Sequence, residues 1–352
     1  MPRIPDFAQK VSLVLIRVTI LAGVVALLLL TIDMILLVFA GLLLAVFLIS
    51  LAEPLSRYLK FSHRISLTLV ILFFLVTAYF ILTSALPAIA EQVERLTYMI
   101  PDAYEALQRE LQRYEWGRVL INETQRRGFA GPGMLFSRAT GVVYGTADWL
   151  VSAIIILVIG LYMAANPGLY QRGVVRLFPP VRREAVAEIL AETGHALRWW
   201  LFGRLAGMVI VGVVTTFALH LMGVPLAGLL GLISGLLTFI PNLGPLISAI
   251  PVILIALMES PYKALLAGSF YTVLQMLEGY VLTPLIFQRT VSLPPALLLA
   301  AQAVLGSLLG LNGVAMAAPM TVIGMVLVKM MWTDKIEKVR DTGTDQDLGL
   351  PQ

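Results

Sequence analysis

The chain has 352 residues, of which 59% are hydrophobic and only 13% are charged. A soluble globular protein averages about 45–50% apolar and about 25% charged residues. Several runs in this chain also exceed the roughly 18 apolar residues that a bilayer-spanning helix needs. The composition therefore indicates a polytopic integral membrane protein and excludes an ordinary soluble domain.

Residue content disfavours several other classes of protein. The chain contains no cysteine, which excludes disulfides, thiolate metal sites and cysteine nucleophiles. His63, His195 and His220 are scattered without metal-ligand spacing, so we expect neither a metal nor a cofactor. The net charge of +4 is not clustered and is explained by basic cytoplasmic loops, which argues against a nucleic-acid partner.

The N-terminal part of the chain predicts three membrane helices. Apolar runs at about 13–31 and 34–51 predict two helices joined by a tight turn around Asp33. The first run is too long for a cleaved signal peptide, so we expect it to remain as a span. A third helix is predicted at about 65–86, after a basic loop at 53–64.

The polar stretch 87–140 predicts an amphipathic helical insert. Apolar residues recur with helical period from Ile89 to Ile100, and Pro101 is expected to break the helix before it restarts. We expect this insert to cover the membrane domain or to meet a neighbouring subunit. A lid that captures a ligand is the alternative.

The stretch 141–204 predicts a fourth span, at about 142–164, followed by an amphipathic helix that ends near Arg204. Trp199 and Trp200 suit a helix that lies at the level of the lipid headgroups. The remaining apolar part of the chain then begins at Leu205.

The distribution of lysine and arginine predicts the orientation in the membrane. The loop 53–64 carries three Lys or Arg against one acidic residue, and the stretch 166–204 carries six arginines against three glutamates. The stretch 87–140 balances seven arginines with seven acidic residues. Because basic loops stay in the cytoplasm, we expect both termini inside the cell and the insert outside.

The last apolar part of the chain contains two interrupted segments. A span at 205–222 is followed by short helices at 226–240 and 246–257, separated by the sequence PNLGP. A second span at 262–286 is followed by another pair of short helices, 296–309 and 314–328, joined by GLNG. Helices of about 15 residues are near 22 Å long and fall short of a bilayer core of about 30 Å.

These paired interruptions predict two re-entrant helical hairpins in an inverted repeat. Broken helices survive at membrane depth only where protein or a wet cavity satisfies their backbone groups, and such pairs mark transporter sites. The alternative is that the prolines only kink ordinary full spans, since proline and glycine are common in membrane helices.

The sequence predicts five regions: 1–86, with three spans; 87–140, the insert; 141–204, the fourth span and the amphipathic helix; 205–332, the transport core; and 333–352, a cytoplasmic tail.

Polar residues inside this core are candidates for binding a solute or an ion. Tyr271, Gln275 and Glu278 recur on one helix face, and a buried charge such as Glu278 is a functional candidate by default. The alternative is that Glu278 pairs with a backbone end or with Arg289. Asn242 and Asn312, at the two tips, are further candidate ligands. Five more side chains could also contribute, although helix packing explains each of them as well: Ser234, Thr238, Ser248, Gln302 and Ser307.

The sequences FIPNLGPLISAIP and LEGYVLTPLIFQRTVSLPPALLLAAQAVLGSLLGLNGVAMAAP resemble the autoinducer-2 exporter family of bacterial membrane proteins. The resemblance covers nearly the whole chain, including the insert. It departs from the family pattern at Leu285, where lysine is common, and at Asn242 and Asn312. The matching positions are Pro241, Gly244, Pro245, Pro251, Glu278, Pro284, Gly310, Gly313 and Pro319.

The resemblance implies an inner-membrane permease of a family whose named member exports the furanone-type signal autoinducer-2, while other members resemble cation/proton antiporters. It also implies a homo-oligomer, with a pentamer as one form. The expected fold is an all-α polytopic membrane protein with six full spans, two re-entrant hairpins and an extracytoplasmic amphipathic insert.

The leading functional hypothesis is a secondary transporter of a small polar solute that works by alternating access at a site between the two hairpins. A cation/proton antiporter that uses Glu278, an oligomeric passive channel and an adaptor that binds through the insert are the alternatives. A membrane enzyme is disfavoured, because catalytic sites need several titratable groups at one depth.

Overall fold

The computed structural model describes residues 5–126, 146–282 and 293–333, and these residues form an all-helical protein. Single-turn π-helical segments continue three of the helices, at Ile81–Ala85, Glu278–Leu282 and Lys329–Thr333. The helices are α1 Pro5–Leu59, α2 His63–Phe80, α3 Leu86–Leu111, α4 Glu115–Arg126, α5 Thr146–Ala165, α6 Pro167–Arg176, α7 Arg183–Leu221, α8 Ala227–Leu237, α9 Leu243–Glu259, α10 Pro261–Leu277 and α11 Pro295–Val328.

The predicted turn at Asp33 is wrong, because α1 is one continuous helix of 55 residues. A lone aspartate lowers helix propensity only slightly, and no glycine or proline stands beside it to end the helix. At about 1.5 Å per residue, α1 is about 80 Å long. The structure therefore does not contain the helical reversal on which a cytoplasmic N-terminus depends.

The insert continues directly from the third predicted span. The π-helical turn Ile81–Ala85 joins α2 to α3, and α3 passes through Pro101 without ending, so the predicted break there is wrong. Leu96 and Ile100 are buried against α8 and α9 and share a core cluster with them. Packing of this apolar stripe holds the helix together across the proline, and the insert covers the first interrupted segment as expected.

A second packing unit joins α1, α2 and α5. Gly41 of α1 lies against Ile159 of α5, and Gly160 lies against Leu44, so the two helices approach closely at small residues. The chain then bends by 88° between α5 and α6. Asn166 and Pro167 stand at this bend, where a proline at the start of a helix is well tolerated.

The amphipathic helix predicted to end near Arg204 and the span predicted at 205–222 form one helix, α7. Trp200 does not lie at a membrane surface, since its side chain is 1% exposed and its ring packs edge-on against Phe239 at 5.9 Å. Arginine is a good helix former and no proline stands between residues 183 and 222, so nothing in the sequence ends the helix at Arg204.

The first interrupted segment reverses direction between α8 and α9. Gly244 lies directly against the backbone carbonyl of Leu237, seven residues earlier, whereas such residues are about 10 Å apart along a continuous helix. We call α8, the residues 238–242 and α9 the first hairpin. Its α8 packs closely on α7, because a Cβ on Gly235 would lie 2.7 Å from the carbonyl oxygen of Met208.

The second interrupted segment reverses at Gly310 within α11, where the backbone leaves helical geometry at φ 60° and ψ −143°. Gly313 lies against the backbone carbonyl of Leu305, and a Cβ on Gly306 would lie 2.7 Å from Cγ2 of Val314. Residues eight apart in sequence are therefore in contact. We call the two arms 295–309 and 311–328 the second hairpin.

Four helices in the described part of the chain are long and apolar enough to cross a membrane, or five if α5 and α6 count as one bent span. The four, counted by length and composition alone, are Thr31–Leu59, His63–Leu111, Pro180–Leu221 and Pro295–Met331, the last of which contains the turn at Gly310. The helices α8 and α9 are apolar but short, with 11 and 17 residues. The all-helical structure with several apolar helices is compatible with a membrane protein, and the predicted number of six spans remains a prediction.

Replacement of Gly310 by alanine should destabilise the second hairpin by about 1–3 kcal/mol, because its φ and ψ lie in a region that essentially only glycine occupies. A Cβ there would meet nothing within 4 Å, so a loss of stability must come from the backbone. The measurement is thermal unfolding of the purified protein in detergent.

Gly324→Ala is the matched control, because Gly324 lies on the same helix with open space around its Cα and without a positive φ. It should leave stability unchanged or raise it by up to about 1 kcal/mol through helix propensity. Equal melting temperatures for Gly310→Ala and Gly324→Ala would contradict the turn at Gly310.

Candidate functional site

The candidate site is built around the break of the first hairpin, residues 238–242. Its backbone forms tight turns, with the amide of Ile240 donating to the carbonyl of Leu237 at 3.0 Å and the amide of Leu243 donating to that of Pro241 at 2.7 Å. Asn242 has a positive φ of 64°, a conformation that asparagine tolerates better than most residues. Proline at 241 cannot donate to a helix, so the sequence itself ends α8 here.

Arg204 of α7 reaches this break from the neighbouring helix. It is 8% exposed, and its Nη1 donates to the carbonyl oxygen of Thr238 at 3.2 Å. The same nitrogen donates to Oε1 of Glu278 at 3.4 Å. Arg204 therefore satisfies a backbone carbonyl at the break and forms a buried ion pair.

Glu278 enters the site from the end of α10, where the π-helical turn Glu278–Leu282 begins. Its side chain is 16% exposed, against 9% for that of Arg204. Gly207 lies beside it, and a Cβ at that position would be in ordinary van der Waals contact with Oε1 of Glu278, at 3.7 Å. The predicted alternative partner, Arg289, lies outside the described residues.

Gln302 ties the second hairpin to the break of the first. Its Nε2 donates to the carbonyl oxygen of Pro241 at 2.8 Å, and the residue is 2% exposed. Together with Arg204, it brings side chains from α7 and α11 to two carbonyls of one broken turn. The structure thus places the two hairpins in direct contact through a buried hydrogen bond.

Tyr271, another sequence candidate, lies in a different place. Its hydroxyl is 2.5 Å from Oγ of Ser248, and both residues are buried between α9 and α10. It belongs to the core cluster of the first hairpin and is not in contact with Arg204 or Glu278 in the described interactions. We interpret Tyr271 as a packing residue with a satisfied hydroxyl.

The remaining candidates are distributed around the breaks. Asn242 and Asn312 are exposed at the tips of the two hairpins. Thr238 is buried and its Oγ1 donates to the carbonyl of Ser234 at 2.7 Å. Gln275 is partly buried one turn before Glu278.

The prolines and glycines of the motif have different structural roles. Pro241 and Gly244 form the first break, and Gly310 and Gly313 form the second. The other motif prolines that the structure describes, Pro245, Pro251 and Pro319, lie inside helices that continue past them, and Pro284 lies outside the described residues.

Several buried polar atoms near the first break have no hydrogen-bond partner among the described residues. Three of them are donors, namely Nε of Arg204, Nε2 of Gln275 and Nε1 of Trp200. Oε1 of Gln302 is an unpartnered acceptor, and Oγ of Ser234 is also without a partner. Such groups are rare in native interiors and indicate a place for a ligand or water.

Two cavities open at opposite ends of α7. One of about 540 Å³ lies between the start of α7 and the end of α11 and is lined by Glu188, Glu192, His195 and Lys329, among others. The other, of about 480 Å³, lies where α3 meets the α7–α8 connection, beside His220. Along the helix axis, Arg204 is about 14 Å from His195 and about 24 Å from His220.

Sequence reasoning does not predict Arg204 as a residue of this site. Arg204 marks the predicted end of a polar cytoplasmic stretch. A helical-period reading would have found it, since Trp200, Arg204, Gly207 and Val211 recur at three- and four-residue spacing and all are buried. The informative signal is a charged residue on the buried face of an apolar helix. The prediction of an amphipathic helix at the level of the lipid headgroups does not take this signal into account.

Apolar helices long enough to span a membrane, with a buried ion pair at a broken turn among them, are compatible with a multi-pass membrane protein. The chain belongs to the AI-2E family: the model described as AI-2E family transporter matches residues 16–332. The resemblance inferred from the hairpin motifs is thereby confirmed.

Similar proteins carry names of the same kind. "Putative transport protein YrrI" of Bacillus subtilis (strain 168) is 30% identical over 181 residues, which cover 51% of this chain and 51% of that protein. "Putative transport protein YueF" of the same strain is 25% identical over 291 residues, 78% of this chain and 79% of that protein. "AI-2 transport protein TqsA" of Escherichia coli (strain K12) is 25% identical over 247 residues, 69% of each. The chain thus matches about half the length of YrrI and a larger share of the other two.

Neutralising one member of the Arg204–Glu278 pair should be far more costly than neutralising both. Glu278→Gln leaves a buried guanidinium without a counter-charge, and we expect a loss of about 3–5 kcal/mol in stability. The double variant Arg204→Gln/Glu278→Gln removes both charges and should recover most of that loss. Thermal or denaturant unfolding in detergent micelles gives the comparison.

The control is Glu259→Gln, the same substitution in a pair between Glu259 and Lys263 whose carboxylate is 41% exposed. Exposed pairs contribute little, so this variant should lose less than about 1 kcal/mol. If Glu278→Gln and the double variant were equally destabilised, the two charges would not be coupled in the folded protein.

Proposed function

We propose that the protein is a secondary transporter of a small polar solute, with its binding site at the Arg204–Glu278 pair between the two hairpins. The observation that carries the proposal is the position of this pair. It is buried at a broken turn, partway along α7, with a cavity at each end of the same helix. A site between two cavities is what alternating access requires.

The broken backbone supports the same proposal. Irregular backbone within an apolar region is tolerated where protein or water satisfies its polar groups. Here Arg204 and Gln302 satisfy two carbonyls of the break, and they come from α7 and from the second hairpin. Movement of either hairpin would change these contacts, which gives a physical route from hairpin motion to opening of the site.

We also propose an orientation and a location, which the charges and the packing support. We place the start of α7 and the end of α11 on the cytoplasmic side, since they line one cavity and flank the basic stretch 166–204. This arrangement keeps the C-terminal tail 333–352 in the cytoplasm and the insert outside a bacterial inner membrane. We retain a homo-oligomer, with a pentamer as one form, on the strength of the family resemblance.

The solute that we propose first is autoinducer-2 or a molecule of similar size and polarity, because TqsA is named as an AI-2 transport protein. A cation/proton antiporter that uses Glu278 is less well supported. The guanidinium of Arg204, 3.4 Å from the carboxylate, would repel a cation at that position.

Reconstituted protein should release autoinducer-2 from loaded proteoliposomes with saturable kinetics. The variant Arg204→Gln/Glu278→Gln should reduce the rate at low solute concentration by at least about tenfold, the equivalent of one lost interaction of about 1.4 kcal/mol. Glu259→Gln is the matched control and should transport at the parental rate. Flux that increases linearly with concentration and is unchanged in the double variant would instead indicate a passive channel.

The tips of the hairpins should be accessible to water although they lie among apolar helices. Because the chain has no native cysteine, Asn242→Cys and Asn312→Cys can each be labelled with a charged, membrane-impermeant thiol reagent. We expect both to react, and we expect reaction from opposite faces to depend on the state of the transporter.

Val76→Cys is the control, because Val76 is 60% exposed on the apolar surface of α2 and should face lipid, where a charged reagent does not enter. If neither tip reacts from either side of the membrane, the re-entrant, cavity-lining arrangement is wrong.

A further inference from the structure

Arg204 has an unused hydrogen-bonding edge. A guanidinium presents Nε and Nη2 along one edge and Nη1 on the other side, and the contacts described for Arg204, to Thr238 and Glu278, both use Nη1. Its Nε is buried and has no partner among the described residues. The edge that best receives two oxygen atoms is therefore not used by the protein.

The neighbouring unpartnered groups favour an acceptor. Nε2 of Gln275 and Nε1 of Trp200 are buried donors without partners, one on α10 beside Glu278 and one a turn before Arg204 on α7. Oε1 of Gln302 is an unpartnered acceptor near the break, and Oγ of Ser234, which can donate or accept, is also without a partner. A group that supplies acceptor oxygens would satisfy all three unpartnered donors.

We propose that Arg204 binds a carboxylate group of the transported solute through its Nε/Nη2 edge. A planar carboxylate matches that edge with two parallel N–H···O bonds, which is the geometry for which arginine is most selective. Glu278 remains on Nη1 and acts as the counter-charge of the empty site. This inference rests on the proposed transport function but replaces its solute. Autoinducer-2 carries no carboxylate, so a small organic acid becomes the preferred solute.

A bound carboxylate changes the charge of the site. Arg204 and Glu278 together carry no net charge, so the carboxylate brings the buried site to −1, and two carboxylates at one guanidinium repel each other. Removal of the Glu278 carboxylate should therefore favour binding of the solute.

Acetate is a suitable probe, because it is the smallest stable carboxylate of this kind, and acetamide is its neutral isostere. Binding to the purified full chain in detergent is measured by calorimetry or by the increase in melting temperature, with chloride as the reference salt. We expect acetate to bind and acetamide not to bind. Arg204→Gln/Glu278→Gln should lose acetate binding while Glu259→Gln retains it.

The role of Glu278 is tested with Glu278→Gln. Because the neutral side chain no longer repels the bound carboxylate, this variant should bind acetate more tightly than the parent protein. The proposal is overturned if acetate stabilises no more than chloride or if the double variant still binds it.

The outcomes separate this inference from the proposed function. Reactive hairpin tips and saturable flux without acetate binding would leave a transporter whose solute is not a carboxylate. Acetate binding with unreactive tips would confirm an anion site and contradict the transport pathway.

Discussion

The constraint on which the structure depends is that a helix broken among apolar residues leaves carbonyl groups that neither lipid nor hydrocarbon side chains can satisfy. At the first hairpin, Arg204 donates to the carbonyl of Thr238 and Gln302 donates to that of Pro241. The arginine then needs a counter-charge, which Glu278 supplies. The broken turn of the first hairpin thus constrains the side chains that reach it from α7, from α11 and from the end of α10.

Much of this arrangement could be predicted from local sequence. The breaks at PNLGP and GLNG are local events, because proline lacks an amide donor and glycine reaches backbone angles that other residues avoid. Gly310, with its positive φ, is the position where this rule is most specific. Glu278 was predicted as a site residue because a charge in an apolar span needs a partner or a function. Its partner could not be inferred, because it lies 74 residues away in sequence.

The features that sequence reasoning missed are those decided by packing between helices. Asp33 and Pro101 are unfavourable in a helix, but α1 and α3 pass through both. In α3 the apolar stripe buried against the first hairpin outweighs the loss of one hydrogen bond at Pro101. For α1 the continuous helix shows that one polar residue is too weak a signal for a turn. Trp200 is the clearest case. A tryptophan in the sequence can belong either to the aromatic belt at a membrane surface or to a buried core, and here it is buried.

Charge neutrality links the site to the work that a transporter performs. A site that opens alternately to two cavities experiences the membrane potential, and moving one net charge through it costs about 2.3 kcal/mol per 100 mV. The empty site contains one arginine and one glutamate and has no net charge. In the proposed loaded state, the carboxylate of the solute brings the site to a net charge of −1. Reorientation of the loaded site would then respond to the membrane potential, whereas reorientation of the empty site would not. Lysine at position 204 would preserve neutrality but lose the bidentate edge, so selectivity for a carboxylate depends specifically on arginine.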